Sequence, residues 1–509
     1  MKLTAAVVTV LLAGLAGPAA GGGQPDPDHA PAASGLPTAA LGTVAVPSHD
    51  IGHGTEPQPA VSASSSISGV ACPSARECVA VGGYNDSPGD YQGLLLTGHG
   101  SSWTAVTAPV PAGAATRPQT IISGVACPSA RECVAVGQYN DSPGHYRGLL
   151  LTGNGSSWTA AAAPVPAGAA AYSGASITAI TCPAAWECVA VGYWADSAGN
   201  SHLFLLTMRG TSWTAATAPL PAGAPANLGA GISVLACPST TACTAVGDYN
   251  VDHYHDPWPD NHLYLLTMRG SSWTAATAPL PADAPTSSTI DIAGMACPSA
   301  TACVATGWYD NAGFPSGGSE GLLVTMRGSS WTAVTAPLPA GVTGAFASVW
   351  AVACPSATLC TAVGNNFVPA GNSEGLLLTQ HRGSWTVATA PVPSGAAANS
   401  YSSITAVACP SAATCTAAGS YTNTAGNGQV LLLTQHQGSW TVATAPVPSR
   451  AATNPETFIT GMACPSATAC TASGGFTDSS GNSQGLLLAM HGSSWTAVHA
   501  PLPAGAATS

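Results

Sequence analysis

The residues best equipped for chemistry lie in one stretch, Asp252-His253-Tyr254-His255-Asp256-Pro257-Trp258-Pro259-Asp260-Asn261-His262. Imidazole and carboxylate are the usual nitrogen and oxygen donors to a divalent metal. His253, His255, Asp256, Asp260 and His262 are therefore a candidate metal set, with His253 and His255 on one side if the segment is extended. The same residues equally suit a hydrophilic surface loop, and nothing else in the chain calls for a cofactor. A second set is aromatic. Tyr84, Tyr139, Trp194, Tyr249, Tyr309, Tyr421 and Phe476 each follow a recurring Gly by two positions, and Asn366 is the exception. Exposed rings of this kind stack on sugars, whereas buried ones merely cap their own strand. Trp258 and Trp308, outside any recurring Trp position, join Tyr249 and Tyr309 as the candidate ligand-binding set. Asp252 and Asp256 could serve glycoside chemistry, as could any acidic loop. No Gly-x-Ser-x-Gly elbow, P-loop or His-Glu-x-x-His motif occurs, so no catalytic residue is assigned.

Sixteen cysteines fall in eight pairs with five residues between partners. The pairs are Cys72 with Cys78, Cys127 with Cys133, Cys182 with Cys188, and Cys237 with Cys243. In the second half they are Cys297 with Cys303, Cys354 with Cys360, Cys409 with Cys415, and Cys464 with Cys470. The spacing is not that of a zinc knuckle and no companion His recurs, so each pair is expected to form a disulfide that clips the two strands beside one turn.

These residues sit in eight tandem units of about 55 residues. In the unit at 121–168, four strand-like runs alternate with turn-formers. Strand A is Ile122–Cys127, B is Cys133–Gly137, C is Leu149–Thr152, and D runs from Trp158 to about Val165. Asn140-Asp141-Ser142-Pro143-Gly144 is expected to begin a B–C loop, and Gly153-Asn154-Gly155 a C–D hairpin. Four antiparallel strands per repeat predict an all-β, eight-bladed β-propeller with one intra-blade disulfide per blade. A β-solenoid is the competing architecture, but its coils are shorter. Trp103, Trp158, Trp213, Trp273, Trp331, Trp385, Trp440 and Trp495 recur once per unit and are expected to pack blade on blade.

The segment LLLTGHGSSWTAV (94–106) resembles the Asp-box (BNR) hairpin of sialidase-type propellers, a Ser-x-Asp-x-Gly-x-x-Trp turn between third and fourth strands. GVACPSARECVAVG (69–82) is similar to the inner strand pair of bacterial BNR-like and photosystem-assembly-factor-like propellers. The resemblance covers residues 67–509 and implies the propeller fold. The chain keeps the Gly and Trp but has His99, Asn154 or Arg209 in place of the Asp. The family's arginine triad, Tyr nucleophile and acid/base carboxylates find no matching motif here, so none is carried over.

The ends and the composition bound the setting. Met1-Lys2, an apolar run from Leu3 to Leu15 and small residues to Ala20 predict a signal peptide at 1–20. Residues 21–64 read as a Pro/Gly/Ala/Ser-rich linker, and 65–509 as the propeller. A net charge of −12 with a single Lys disfavours nucleic-acid binding, and no further apolar run suits stable membrane insertion. In a propeller the A–B and C–D turns share one face, and the B–C and D–A loops the other. Only the second face varies much: Gly247 to Thr267 and Gly307 to Thr325 are longer than Gly137 to Thr152. The expectation is a secreted, monomeric, non-catalytic binding or scaffold protein, recognising an extracellular glycan or protein through that face. The alternative is a degenerate sialidase or glycoside-hydrolase-like enzyme.

Overall fold

The computed structural model describes residues 64–506, apart from 88–89, 143–144, 156, 168, 170–173, 197–199, 225–228, 251–260, 286–287, 311–317, 343–345, 368–371 and 505. The expected signal peptide and all but the last residue of the linker lie outside the described residues.

Thirty-two strands form eight sheets, each of four consecutive strands in the order A-B-C-D. The first blade is Ser65–Ser74, Glu77–Ser87, Asp90–His99 and Ser102–Thr107, paired antiparallel throughout. No helix occurs among the described residues. Each junction between neighbouring blades holds its own apolar cluster, and one of the eight joins the last blade to the first. There Ile67, Val70 and Leu94 meet Ala463, Leu487 and Ala500. The ring is an eight-bladed propeller that closes without exchanging a strand.

Residue patterns follow from this packing. A middle strand is covered on both faces, so an unbroken apolar run such as Leu94-Leu95-Leu96 is wholly buried. The outermost strand faces solvent on one side, and Ser102–Thr107 alternates accordingly. All eight recurring Trp pack partly buried against the junction clusters.

All eight expected disulfides are present, each joining strands A and B of one blade. Cys72 bonds Cys78, Cys127 bonds Cys133, Cys182 bonds Cys188, and Cys237 bonds Cys243. Cys297 bonds Cys303, Cys354 bonds Cys360, Cys409 bonds Cys415, and Cys464 bonds Cys470. No free cysteine remains among the described residues. A loop this short contributes about 2 kcal/mol by restricting the unfolded chain. The bonds are more than clips across a turn. On strand B, Cys133, Cys188, Cys243, Cys303, Cys360, Cys415 and Cys470 are all buried, because a middle strand is covered on both faces. Their sulfurs therefore add to the apolar packing of the light core.

A further device recurs in every blade. Strand A carries a β-bulge, at Ser68 between Ile67 and Gly69 in blade 1 and at the equivalent place in the other seven. A bulge kinks the strand and re-aims its side chain. Here it also brings the backbone of strand A over the recurring strand-B Gly. A Cβ on Gly82 would lie 1.9 Å from Ser66 O, and one on Gly307 would lie 1.9 Å from Asp291 O. The repeated Gly is therefore a requirement of close approach.

One expectation needs correction. Asn140-Asp141-Ser142 is not loop: strand B continues to Ser142 and strand C begins at His145. The ladder outlasts the apolar run because the hairpin itself stays paired, with Ser142 opposite His145. Of the two readings of the aromatic set, the buried one holds. Tyr84, Tyr139, Trp194, Tyr249, Tyr309, Tyr421 and Phe476 are all buried in the junction cores. The Tyr hydroxyls reach outer-strand threonines, as in Tyr249 to Thr277 at 3.0 Å and Tyr309 to Thr335 at 2.7 Å.

Candidate functional site

The bulge residues Ser68, Ser123, Thr178, Ser233, Ala293, Trp350, Thr405 and Thr460 occupy equivalent places on the innermost strands, partly accessible around the central channel. Several of the hydroxyls tie one blade to the next: Ser68 Oγ donates to Ile122 O at 2.7 Å, and Thr460 Oγ1 to Ile67 O at 3.0 Å. Blade 6 breaks the series with an indole. Trp350 packs against Trp308 of blade 5 with ring centroids 5.0 Å apart and planes tilted by 58°. Its Nε1–H donates to Asn365 Oδ1 at 2.6 Å. The Asn365 amide is fixed in turn, accepting from Ser403 Oγ at 3.3 Å and donating to Ser373 Oγ at 3.1 Å. Trp350 is thus held in a set orientation by blades 5, 6 and 7.

One carboxylate stands beside this pair, and a second lies on the preceding blade. Asp291 lies directly across from Trp308, and Asp248 directly across from Gly231 in the preceding blade. Directly opposed residues of an antiparallel pair project from the same face. Burial pushes the Asp248 carboxyl up to about 6, and the negative charge of Asp291 adds to the rise. Asp291 is exposed, and partial desolvation raises its carboxyl as well. Among the described residues neither has a Lys, Arg or His partner within salt-bridge distance.

Asn366 adds a polar group to the same junction. Since Asn365 turns toward Ser403 of blade 7, the next residue along the strand turns toward blade 5. It occupies the layer where the other blades bury an aromatic ring, is itself fully buried, and neither amide atom has a hydrogen-bond partner. The surrounding rim, formed by strand ends on the B–C face, exposes Phe346, Phe367, Tyr401 and Phe458. Phe367 and Tyr401 lie 5.9 Å apart.

Of the residues singled out from sequence, Trp308 belongs to this site, while Tyr249 and Tyr309 form the packing behind it. Burial holds the Tyr309 hydroxyl far above the ordinary phenol range, its bond to Thr335 notwithstanding. His262 is on strand C of blade 4, its ring 5.3 Å from Tyr249. Trp258, His253, His255, Asp256 and Asp260 lie outside the described residues. Trp350, Asp248, Asp291 and Asn365 went unselected, although aligning the eight repeats shows Trp350 alone where its counterparts are Ser, Thr or Ala.

On the opposite face, a crevice of about 980 Å³ opens where blade 8 meets blade 1, lined by turn residues including Arg76, Glu77, His99, Thr468 and His491.

No family model and no curated protein matches the chain, so the Asp-box likeness rests on the hairpin residues alone. Among solved structures the chain is similar to a prolyl endopeptidase at 9% identity and a TM-score of 0.42, covering 84% of this chain and 55% of that one. It thus spans about half the length of that enzyme. It is also similar to the fucose-specific lectin from Aleuria aurantia, at 15% identity and a TM-score of 0.31, covering 63% of this chain and 95% of that one. A microbial sialidase, Hz136, aligns at 10% identity with a TM-score of 0.34, over 61% of this chain and 64% of its own.

Proposed function

We propose that this is an exported, non-catalytic binding protein that receives a glycan at the B–C mouth of its channel, on blades 4 to 7. The observation that carries the reading is the Trp308–Trp350 pair, locked by Asn365 and left partly accessible. Aromatic faces supply contact area at low entropic cost, and nearby polar groups orient the ligand. The exposed rings Phe346, Phe367 and Tyr401 of blades 6 and 7 add apolar surface on that face. Export is supported by the eight disulfides, which persist in oxidising surroundings. Trp258 and the His/Asp residues of 252–260 follow strand B of blade 4 in the sequence and lie outside the described residues.

The test is a glycan array probed with the full chain and with Trp308→Ala and Trp350→Ala variants. Hits that weaken at least tenfold in both variants, with melting temperatures nearly kept, support the reading. A chain that binds no glycan, or variants that bind as before, would sink it. A second reading, a glycosidase-like enzyme, is favoured by Asp248 and Asp291, since glycoside hydrolysis uses two carboxylates. Hydrolysis of any array hit, abolished by Asp248→Asn, would favour it.

A further inference from the structure

We infer that the site between blades 5 and 6 selects a saccharide bearing a protonated amine, held between the indoles of Trp308 and Trp350 and the carboxylate of Asp291. The inference rests on the glycan reading above and names the class of glycan. Three independent features of one junction lead to it.

The first is charge. Asp291 leaves blade 5 on the face of Trp308, Asp248 of blade 4 lies within reach of its charge, and no cation pairs with either among the described residues. Two carboxylates that feel each other's charge favour a positive group beside them. The second is the aromatic pair. A cation over an indole face gains from the ring quadrupole, most of all when partly desolvated. Trp308 springs from the same face as Asp291, so one ammonium can meet both carboxylate and ring. The third is Asn366, which is fully buried, unpartnered at both amide atoms, and turned into this same junction. Buried polar groups are almost always hydrogen-bonded. Its Oδ1 is an acceptor and its Nδ2 a donor, which suits an amine and an adjacent hydroxyl of one sugar ring.

A neutral sugar would use the stacking surface and leave the carboxylates uncompensated. An acidic sugar would add a third negative charge. The amine is the one substituent that answers all three features.

The test compares a fully deacetylated chitosan tetramer with the N-acetylated chitin tetramer by calorimetry on the full chain, with choline chloride as a sugar-free cation. The deacetylated tetramer is expected to bind at least tenfold tighter, and Asp291→Asn to remove that preference while keeping weak binding of the neutral tetramer. Trp350→Ala is expected to weaken both, and thermal melts check that each variant is folded. Equal affinity for the two tetramers would overturn the amine selection and leave glycan binding standing. Binding of choline but of neither tetramer would uphold the cation and sink the glycan. No binding of any of the three, alongside hits for neutral sugars on the array, would also overturn it.

Discussion

Asp291 and Trp308 stand directly opposite each other on neighbouring strands of blade 5, so a carboxylate and an indole leave the sheet from one face. The next blade sends Trp350 to meet that indole at 5.0 Å. Nothing in the other junctions repeats this, because the counterparts of Trp350 are small. The ring has pseudo-eightfold symmetry in its backbone, and this aromatic contact breaks it in the side chains.

Asp248 should make stability depend on pH in an unusual sense. The unfolded chain releases this proton near pH 4, whereas burial and the Asp291 charge keep it bound in the folded state to about pH 6. The folded state is therefore favoured below pH 4, and the advantage is lost as pH rises toward 6. A rise of that size is worth at most about 3 kcal/mol. Asp248→Asn should raise the urea midpoint at pH 7 and leave it nearly unchanged at pH 4. An equal gain at both values would show that charge is not what the substitution relieves.

His499 should act in the opposite direction at the junction of blades 7 and 8. Its ring contacts Gln484 Oε1 at 2.9 Å and lies edge-on to Phe476. Burial, then the charge of Arg450, hold its pKa below the ordinary value, outweighing Asp478. The unfolded state takes up the proton first, so stability falls as pH drops through about 6.5 and below. Most other blades carry Thr here, such as Thr107 and Thr277. His499→Thr should flatten that acid limb in chemical denaturation between pH 7.5 and 5; an unchanged limb would assign it elsewhere.

Asn366→Tyr restores the residue type of five other blades, with Thr389 placed where Thr107 serves Tyr84. Removing two unpartnered amide atoms and adding a ring should stabilise by about 1–2 kcal/mol. The same change removes a group proposed to meet the ligand. A rise in melting temperature together with weaker sugar binding is the expected pair of results. A destabilised variant would mean that the junction has no room for the ring.

Gly307→Ala should be among the costlier single changes outside the apolar cores, at about 3 kcal/mol, because the added methyl meets the Asp291 carbonyl. Denaturant titration beside Gly113→Ala, where the Cβ meets nothing but φ is +88°, separates steric from conformational cost. Equal penalties would argue against the close approach.

Much of the scaffold was legible in the repeat. Six-residue cysteine offsets, turn residues and one Trp per unit led directly to four-stranded blades, local disulfides and junction packing. The side of the strand from which each ring projects was not legible. Tyr309 and Trp308 are adjacent, and alternation alone cannot tell which of them faces the junction core. The bulge in strand A decides how inner residues meet the channel, and it leaves no mark beyond a Gly on the partner strand. Trp350 escaped notice because it sits in SVWAVACPS, where an apolar inner strand is expected anyway. Asp248 and Asp291 are 43 positions apart and become neighbours only when blades 4 and 5 stack.

The short reach of each disulfide has a consequence for how the protein is made. Sixteen thiols admit roughly two million complete pairings. Yet each cysteine finds its partner six residues away, while the next pair begins 49 residues beyond, as from Cys78 to Cys127. The difference in loop closure favours the near partner by about 2 kcal/mol, or roughly twentyfold in rate of encounter. If, as proposed, the chain emerges into an oxidising compartment, one pair of thiols can couple before the next has arrived. Oxidation then follows the order of synthesis, with little need for an isomerase to undo crossed bonds.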